Sequence, residues 1–490
     1  MTGKAGVVIA TSGPGATNLV TGIANAYLDS VPMVAITGNV SCSLIGKDSF
    51  QEVDIMGITM PVTKHNYMVK DVAILADVIR EAFEIARSGR PGPVLIDIPK
   101  DVQINKAEYE KQAPATAGEK PVVPEDAIDT AVKMIEQSSR PYIYCGGGIV
   151  NAEAGAEVVA LADKIDAPVG CSMMGLSAIP SGYEKNLGMT GMHGKYAASR
   201  AKAEADLVIA LGVRFSDRAT GDKSRYASKA KIIHIDIDDA EINKNISAHL
   251  GVTGDVREVL SRILAKTQKS EKPEWDAQVA KMKTYGEEHT HKMAGRLTPE
   301  QIIEMTNAVC SADTPIATDV GQHQMWVAQY YQFSMPRTLV TSGGLGTMGY
   351  GMGAAIGACC GTGKRTVLFT GDGSFGMNLN EMATAVSQNL PLVIVVMNNG
   401  VLGMVRQWQT LFYGERYSQT TLGRKTDFKA LAEAFGAKGM RAETAAEFAA
   451  CIKQAFETDG PVLIDCIIDK DEKVLPMIPP NGSVEELILN

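Results

Sequence analysis

Short runs of apolar and β-branched residues recur along this 490-residue chain, and a helical stretch follows most of them. The clearest runs are residues 6–11, 32–38, 93–99, 141–146, 206–212, 231–238, 315–320, 365–372, 391–398 and 461–469. Strands that are apolar throughout are buried on both faces, as happens in parallel sheets covered by helices. Parallel strands need long crossover connections, which are usually helices. Candidate crossover helices cover residues 72–87, 127–137, 152–165 and 427–435. We therefore predict an α/β fold built from doubly wound parallel sheets.

Two changes in composition divide the chain. Residues 108–124 are polar and rich in proline, and residues 266–297 are rich in Lys and Glu without strand-like runs. With a typical domain length of about 150 residues, a chain of this size accommodates about three domains. The predicted domains cover residues 1–110, 125–266 and 297–470. The tail, 471–490, contains three prolines, which predict an extended segment that covers another part of the protein.

The overall composition excludes several classes of protein. Hydrophobic residues make up 45% and charged residues 21%, which rules out a disordered or fibrous chain. The net charge of −9 comes from short, scattered charges, so we expect no nucleic-acid or membrane-surface binding. No apolar segment approaches the roughly 18 residues of a membrane helix. The eight cysteines form no C-x-x-C pair, and no signal peptide precedes the first strand-like run, so we expect a cytoplasmic protein with reduced thiols.

The strongest chemical motif joins the ends of two predicted strands. Gly371-Asp372-Gly373-Ser374 follows the run 365–372, and Asn398-Asn399 follows the run 391–398. A right-handed βαβ crossover brings such strand ends together at the carboxyl edge of a sheet, where ligands of open α/β folds bind. Carboxylate and amide oxygens beside bare glycine backbone suit Mg²⁺ and a diphosphate. The alternative is a glycine-rich turn with a capping aspartate, and the Asn pair at this spacing argues against it.

These motifs resemble a known enzyme family along most of the chain. Gly-Asp-Gly followed by Asn-Asn is similar to the signature of thiamine diphosphate (ThDP) enzymes, and N-G-V-L-G-M-V-R-Q-W at 399–408 resembles acetohydroxyacid (acetolactate) synthase catalytic subunits in particular. Further similar stretches are residues 11–18, 48–52, 90–102, 212–221, 319–326 and 341–351. The resemblance implies three ThDP-enzyme domains: a pyrimidine-binding domain, a central FAD-associated domain and a diphosphate-binding domain.

The resemblance also implies which residues hold ThDP. Asp372, Asn399 and the carbonyl of Val401 would bind Mg²⁺. The residues implied around ThDP are Val320, Gly321, Gln322, His323, Gly346, Met348, Asp372, Gly373, Ser374, Asn399 and Met404. Glycine allows the backbone to approach phosphate closely, which agrees with this assignment. Met348 would support the bent cofactor, although a methionine at such a position is also an ordinary core residue.

The implied reaction is the decarboxylation of pyruvate and the condensation of the remaining two carbons with a second 2-ketoacid, pyruvate or 2-ketobutyrate. This is the first common step of branched-chain amino-acid biosynthesis. By resemblance, Arg218 and Trp408 select the second substrate, and Phe50, Gln51 and Lys100 line the same pocket. A guanidinium group can pair with a carboxylate through two hydrogen bonds, and an indole edge can discriminate between ketoacids of different length. From the residues alone, Lys100 is equally a solvated charge and Trp408 equally a packing residue.

FAD is a further cofactor that the resemblance implies, in a structural role. The implied FAD residues are Arg90, Gly146, Gly148, Met192, His193, Gly212, Arg214, Asp217, Asp236, Ile237, Asp255 and Val256. None of these belongs to a G-x-G-x-x-G fingerprint, so the residues alone indicate only turns at strand ends.

The family also has an activating glutamate before the strand that corresponds to the run 6–11. The sequence as given has no residues there, so we expect it to be N-terminally shortened, with an incomplete first domain and reduced carboligation. A missing βαβ unit would amount to about 30 residues. Two alternatives stay open: another ThDP-dependent 2-ketoacid decarboxylase or carboligase, and a non-catalytic ThDP-binding homologue. The implied assembly is a homodimer or tetramer with active sites at the subunit interface and a separate regulatory small subunit.

Overall fold

Three β-sheets organise the chain, and all their paired strands run parallel. The computed structural model describes residues 1–114, 116, 118, 121–423 and 425–490. It contains two compact units. One comprises Gly3–Pro121 with Gly343–Gly346, and the other comprises Met1–Thr2, Val122–Ser342 and Thr347–Asn490. The predicted α/β class with parallel sheets is confirmed, whereas the exact limits of the three domains remain a prediction.

The first unit contains a four-stranded sheet in the order β1-β2-β4-β3. Its strands are β1 (Gly6–Ala10), β2 (Met33–Asn39), β3 (His65–Met68) and β4 (Pro93–Pro99). Its helices are α1 (Pro14–Thr17), α2 (Val20–Leu28), α3 (Ile55–Thr59), α4 (Leu75–Arg87) and α5 (Lys100–Ile104). Strand β4 is buried throughout because its side chains alternate between two apolar clusters: Val94 and Ile96 pack with residues of α4, and Leu95 packs with Ile23 and Ile55.

A six-stranded sheet forms the first half of the second unit, in the order β10-β9-β8-β5-β6-β7. Its strands are β5 (Pro141–Cys145), β6 (Val169–Cys171), β7 (Asn186–Met189), β8 (Leu207–Leu211), β9 (Lys231–Asp236) and β10 (Leu250–Thr253). Its helices are α6 (Glu125–Glu136), α7 (Gly147–Ala152), α8 (Gly155–Ile165), α9 (Tyr196–Glu204), α10 (Asp217–Thr220), α11 (Val256–Lys266) and α12 (Pro273–His289). After β5 the chain adds β6 and β7 on one side of that strand, and it then adds β8, β9 and β10 on the other side. The strand order therefore reverses between β5 and β8, and this place is the switch point of the sheet.

A second six-stranded sheet has the order β12-β11-β13-β14-β16-β15. Its strands are β11 (Ile316–Thr318), β12 (Leu339–Val340), β13 (Thr366–Gly371), β14 (Leu392–Asn398), β15 (Lys438–Ala442) and β16 (Val462–Ile467). Its helices are α13 (Pro299–Val309), α14 (Gln322–Tyr330), α15 (Tyr350–Thr362), α16 (Asp372–Asn378), α17 (Met382–Ser387), α18 (Gly403–Phe412), α19 (Phe428–Phe435) and α20 (Ala445–Glu457). Here the switch point lies between β11 and β13.

The C-terminal tail covers helix α18. Leu475 and Met477 are buried and pack against Trp408, and Met477 pairs with Ile488 in an isolated β-bridge. The extended, covering tail that the prolines predict is therefore present. Helix α12 lies in the Lys/Glu-rich stretch, yet its Trp275 is buried in an apolar cluster of the central sheet, which is the sheet formed by β5–β10. Trp275 also donates a hydrogen bond to the carbonyl of Pro141 (3.0 Å).

All ten predicted strands are present, within a few residues of their expected ends. Strands β3, β6, β7, β10, β12 and β15 were not predicted, because most are short or carry polar side chains. All eight cysteines lie in the described residues and are free. Within the described residues, no helix is both long and apolar enough to cross a membrane.

Candidate functional site

The sheet with the order β12-β11-β13-β14-β16-β15 is the third sheet in the chain. The residues of the strongest motif lie together at its carboxyl edge. Asp372 follows β13 and Asn399 follows β14, and the register pairs Gly371 with Met397. The two side chains therefore sit at the ends of adjacent strands. Val320 and Gly321 follow β11 on the other side of β13, so this group of residues surrounds the switch point. Ligands of open α/β sheets bind at this place because the loops diverge there and leave a crevice.

Oxygen atoms dominate the possible metal ligands at this edge. The Asp372 side chain is buried, and Asn399 Oδ1 accepts a hydrogen bond from the amide of Val401 (3.1 Å). No group of three or more His, Cys, Asp or Glu side chains suited to a metal occurs in the described part of the chain. A cation here would therefore depend on one carboxylate, one amide oxygen and backbone carbonyl oxygens, which is the ligand type that Mg²⁺ prefers.

Gln322 joins this edge to helix α18 and to the tail. Its Nε2 donates to Gln407 Oε1 (3.0 Å) and to the carbonyl of Glu472 (2.8 Å), while its Oε1 accepts from Asn399 Nδ2 (3.4 Å). Gln407 in turn exchanges two hydrogen bonds with the backbone of Val474 (2.8 and 3.0 Å). The bonds of Gln322 and Gln407 are buried, and the partly buried bond from Asn399 to Gln322 then directs the Asn399 side chain.

His323 is the most unusual polar group at this edge. Burial lowers its pKa to about 3, so the imidazole is neutral at physiological pH. Its Nε2 atom is buried and has no hydrogen-bond partner among the described residues. An unpaired buried polar atom is costly. A polar ligand that reached Nε2 would remove this cost, so the observation fits a site built to receive one.

Glycines keep the surface of this crevice open. A Cβ atom on Gly321 would come within 2.8 Å of His323 Cε1, and one on Gly371 within 3.1 Å of His323 Nδ1. A Cβ on Gly373 would lie 2.9 Å from Leu402 and 3.8 Å from the methyl group of Met348. Side chains at these positions would fill the space beside the imidazole. The bare backbone suits the close approach of a phosphate group.

A second buried carboxylate, that of Asp319, supports the loops of the crevice. Its Oδ1 accepts hydrogen bonds from the amides of Val320 and Gly349 (both 2.8 Å), and burial raises its pKa. Ser374 Oγ donates to the carbonyl of Val320 (2.8 Å). Neither Asp319 nor Gln407 was among the predicted site residues, although both lie in the quoted motifs. Met404 is partly buried and packs against the apolar core.

The carboxyl edge of the central sheet carries most of the residues implied for FAD. Gly146 and Gly212 follow β5 and β8 at the switch point. Asp236 and Ile237 lie at the end of β9, and Asp255 and Val256 lie after β10. The carboxylate of Asp236 accepts from the amide of Asp238, and that of Asp255 caps α11. The four strands are neighbours in the sheet, so these residues share one continuous edge.

The glycines at this switch point also have a packing reason. A Cβ on Gly146 would lie 1.9 Å from the carbonyl oxygen of Gly212, and one on Gly212, where φ is 57°, would lie 2.6 Å from Gly148 Cα. The two loops therefore touch through their backbones. These glycines are necessary for the fold whether or not a ligand lies over them.

Arg218 and Trp408 come from different sheets and meet in the second unit. The guanidinium carbon of Arg218 lies 5.6 Å from the Trp408 ring centroid, and Nη1 lies 3.8 Å from Met192 Sδ. The Arg218 side chain remains 63% exposed, so its charge is free to contact an anion. Asp217 is also largely exposed, 3.8 Å from Arg218 Nε.

His193 follows Met192, the residue whose sulfur contacts Arg218. Burial, with a smaller contribution from Arg218, lowers its pKa to about 4, and its Nδ1 has no hydrogen-bond partner within the described residues. The carbonyl of Arg214 accepts a hydrogen bond from Asn245 (3.1 Å). Met192, the residue before His193, packs in the same apolar cluster as Trp408 of helix α18.

The remaining predicted residues belong to the first unit. Phe50 is 87% exposed. Gln51 has a positive φ of 59° and lies close to Gly13: a Cβ atom added to Gly13 would be 2.9 Å from the Cα of Gln51. Lys100 begins helix α5 at the end of β4 and is exposed. Arg90 donates to Ser30 Oγ (2.8 Å). Gly346 has a φ of 68°, and the adjacent amides of residues 343 and 344 donate to the carboxylate of Asp29.

Comparison with protein-family models matches three parts of the chain. Residues 319–466 match the C-terminal thiamine pyrophosphate-binding domain of thiamine pyrophosphate enzymes, residues 128–263 match their central domain, and residues 1–58 match their N-terminal thiamine pyrophosphate-binding domain. The match at residues 319–466 begins at Asp319 and includes the complete candidate edge.

Curated relatives match nearly the whole chain. It is 44% identical to the probable acetolactate synthase large subunit of Methanocaldococcus jannaschii, covering 99% of this chain and 85% of the relative. It is 45% identical to the acetolactate synthase large subunit of Corynebacterium glutamicum, with 99% and 80% covered, and 44% identical to the acetolactate synthase isozyme 1 large subunit of Escherichia coli, with 99% and 86% covered.

Proposed function

The chain belongs to the acetolactate synthase large-subunit family of thiamine-pyrophosphate enzymes, and we propose which of its residues perform that carboligation. The reaction decarboxylates pyruvate and joins the remaining two carbons to a second 2-ketoacid. The two alternatives raised from the sequence are not favoured, because matches to acetolactate synthases cover 99% of the chain. The single observation that carries the residue assignment is the meeting of Asp372 and Asn399 beside buried His323 at the switch point.

Thiamine diphosphate, when bound, supplies the electron sink that allows CO₂ to leave a 2-ketoacid. In the proposed site, Asp372, Asn399 and the carbonyl of Val401 hold Mg²⁺, which binds the diphosphate. His323 Nε2 and the backbone around Gly321 and Gly373 supply further polar contacts. Support comes from the unpaired Nε2 atom and from the space that the glycines leave open. The hydrogen bonds of Gln322 keep Asn399 oriented before any ligand arrives.

FAD is proposed along the carboxyl edge of the central sheet. The polar side chains of Asp236 and Asp255, and the turns at Gly146 and Gly212, lie along one continuous edge of four neighbouring strands. His193, whose Nδ1 is buried and unpaired in the described residues, offers a polar contact near this edge. The remaining proposed FAD residues are Arg90, Gly148, Met192, Arg214, Asp217, Ile237 and Val256.

The second 2-ketoacid is proposed to bind at Arg218 and Trp408. Arg218 can pair with a carboxylate through two parallel N–H bonds, and the ring face of Trp408 holds the guanidinium group from one side. The apolar cluster of Leu475, Met477 and Trp408 excludes water from the other face of the indole. As the family resemblance implies, Phe50, Gln51 and Lys100 of another subunit are proposed to complete the substrate pocket.

The relatives are named large subunits, which indicates a separate small subunit in those enzymes. We propose the same kind of regulatory partner for this chain. We also propose a homodimer or tetramer with active sites at the subunit interface, as the family resemblance implies.

Omitting each cofactor in turn tests this proposal. The purified enzyme is freed of metal and cofactors, and acetolactate formation from pyruvate is measured with ThDP, Mg²⁺ and FAD together and with each one absent. We expect omission of ThDP or Mg²⁺ to lower the rate at least about 100-fold, because the metal binds the diphosphate. Omission of FAD should also lower it if the central edge binds FAD. Full activity with a chelator present would contradict the metal site, and full activity without FAD would contradict the flavin site.

A further inference from the structure

Lys202 on helix α9 is a buried lysine outside the proposed catalytic groups. Only 6% of the residue is exposed, and its Nζ lies 4.5 Å from the ring centroid of Tyr226 and 5.7 Å from that of Tyr144. Its hydrogen-bond acceptor is the carbonyl oxygen of Ala219 (3.3 Å). A buried lysine with one such bond is expensive for a protein, so its retention calls for a specific purpose.

The carbonyl that Lys202 contacts belongs to the four-residue helix α10. This helix carries Arg218, and the carbonyls at the end of so short a helix have no partners within it. The Arg218 carbonyl accepts from the amide of Met192 (2.8 Å), and the Ala219 carbonyl accepts from Lys202. Lysine side chains commonly bind the last carbonyls of a helix in this way.

The other end of α10 is held by an aromatic side chain. Phe215 has a φ of 48°, which is rare for a bulky residue, and its ring is buried against Tyr144, Tyr226 and His234, with centroids 5.0–6.1 Å away. Packing must therefore hold this backbone in place. The rings of Tyr144 and Tyr226 contact both Phe215 and the Lys202 ammonium group, so the two anchors of α10 share one support.

The Arg218 side chain has few contacts of its own. It is 63% exposed and touches only Met192 Sδ, the Trp408 ring and Asp217 within the described residues. Its direction consequently depends on where the backbone of α10 lies. We propose that Lys202 is a positioning residue: its Nζ holds the end of α10 and thereby directs Arg218 toward the second 2-ketoacid. This inference rests on the proposed role of Arg218.

Burial lowers the pKa of Lys202 to about 7. Both the ammonium and the neutral amine carry N–H donors, so the bond to Ala219 persists across this titration. Because the bond needs a donor, a methionine at this position removes the interaction while it keeps an unbranched, apolar side chain that is one bond shorter than lysine.

The test compares product ratios in competition. Lys202→Met and Lys229→Met enzymes receive equimolar pyruvate and 2-ketobutyrate, and the ratio of 2-aceto-2-hydroxybutyrate to acetolactate is measured. Lys229 is the matched control. Its side chain is 56% exposed, and it pairs with Glu204, the last residue of the helix that carries Lys202. In Lys202→Met we expect the ratio to fall about fivefold and the KM of the second substrate to rise about tenfold, with kcat within about twofold. Lys229→Met should match the wild type.

A double variant shows whether Lys202 acts through Arg218. In an Arg218→Lys background, Lys202→Met should cause no further change in the product ratio. An unchanged ratio in folded Lys202→Met, or an additive change in the double variant, would overturn the inference alone. An unchanged ratio in Arg218→Lys itself would overturn the proposed role of Arg218 and the inference with it. If Lys202→Met does not fold, Lys202→Gln is the second variant: its amide donor lies about one bond length short of the Ala219 carbonyl, so the hydrogen bond is weakened. A ratio lowered about twofold would support the proposal, and an unchanged ratio would overturn it.

Discussion

Asp372→Asn is expected to lower kcat/KM for acetolactate formation by about 1,000-fold or more, because it removes the only carboxylate proposed to hold the metal. The substitution keeps the size of the side chain at a buried position. The affinity for ThDP, measured by titration at fixed Mg²⁺, should weaken in parallel, and raising the Mg²⁺ concentration should recover part of the activity. A variant that binds ThDP and Mg²⁺ like the wild type would contradict this metal site.

The adjacent asparagines provide a matched control for the same site. Asn399 points toward Gln322 and Val401, whereas Asn398 Nδ2 donates to Asp465 on the neighbouring strand (2.9 Å). Asn399→Ala should therefore weaken ThDP binding along with Asp372→Asn. Asn398→Ala should instead leave ThDP affinity unchanged and lower the free energy of unfolding by about 1–3 kcal/mol, because buried Asp465 loses a donor. Equal loss of ThDP affinity in both alanine variants would contradict the assignment.

Arg218→Lys is expected to have the largest effect on the choice and binding of the second substrate. Lysine keeps the positive charge but loses the planar fork that can form two hydrogen bonds with a carboxylate and stack on Trp408. We expect the KM of the second ketoacid to rise about 10- to 100-fold. In competition, the ratio of 2-aceto-2-hydroxybutyrate to acetolactate should fall about tenfold, since the support for the substrate beside the indole is lost.

Arg225→Lys is the control for this change. Arg225 lies a few residues further along the chain and pairs with Asp222 and Glu486 at the surface. Its substitution should alter neither the KM nor the product ratio, because exposed ion pairs contribute little. If Arg218→Lys and Arg225→Lys behave alike in the competition assay, Arg218 does not contact the second substrate.

The sequence was sufficient to predict most strands of the three sheets and the shared sheet edge of Asp372 and Asn399. Continuous apolar runs identify buried parallel strands, and the crossover rule then brings Asp372 and Asn399 together without knowledge of any other contact. The same reasoning placed Gly146, Gly212 and Asp236 at strand ends, where the structure has them. Short strands such as β7 escaped prediction because four residues with alternating burial leave no distinct pattern.

Contacts between distant parts of the chain could not be predicted in this way. Gln322 and Gln407 are 85 residues apart, and their hydrogen bond depends on how α14 and α18 pack. In the sequence, Lys202 has the pattern of an exposed lysine on a polar helix. The fold instead buries its ammonium group beside two tyrosine rings. The packing alternative for Trp408 was partly correct: the ring both packs on the tail and faces Arg218.

The identity of the product formed from pyruvate alone is the most direct test that this chain is an acetolactate synthase. The enzyme is incubated with ¹³C-labelled pyruvate, ThDP, Mg²⁺ and FAD, and the products are followed by nuclear magnetic resonance together with released CO₂. We expect acetolactate as the main product, with one CO₂ released for every two pyruvate molecules consumed. Acetaldehyde or acetate as the main product, with one CO₂ for each pyruvate, would contradict it.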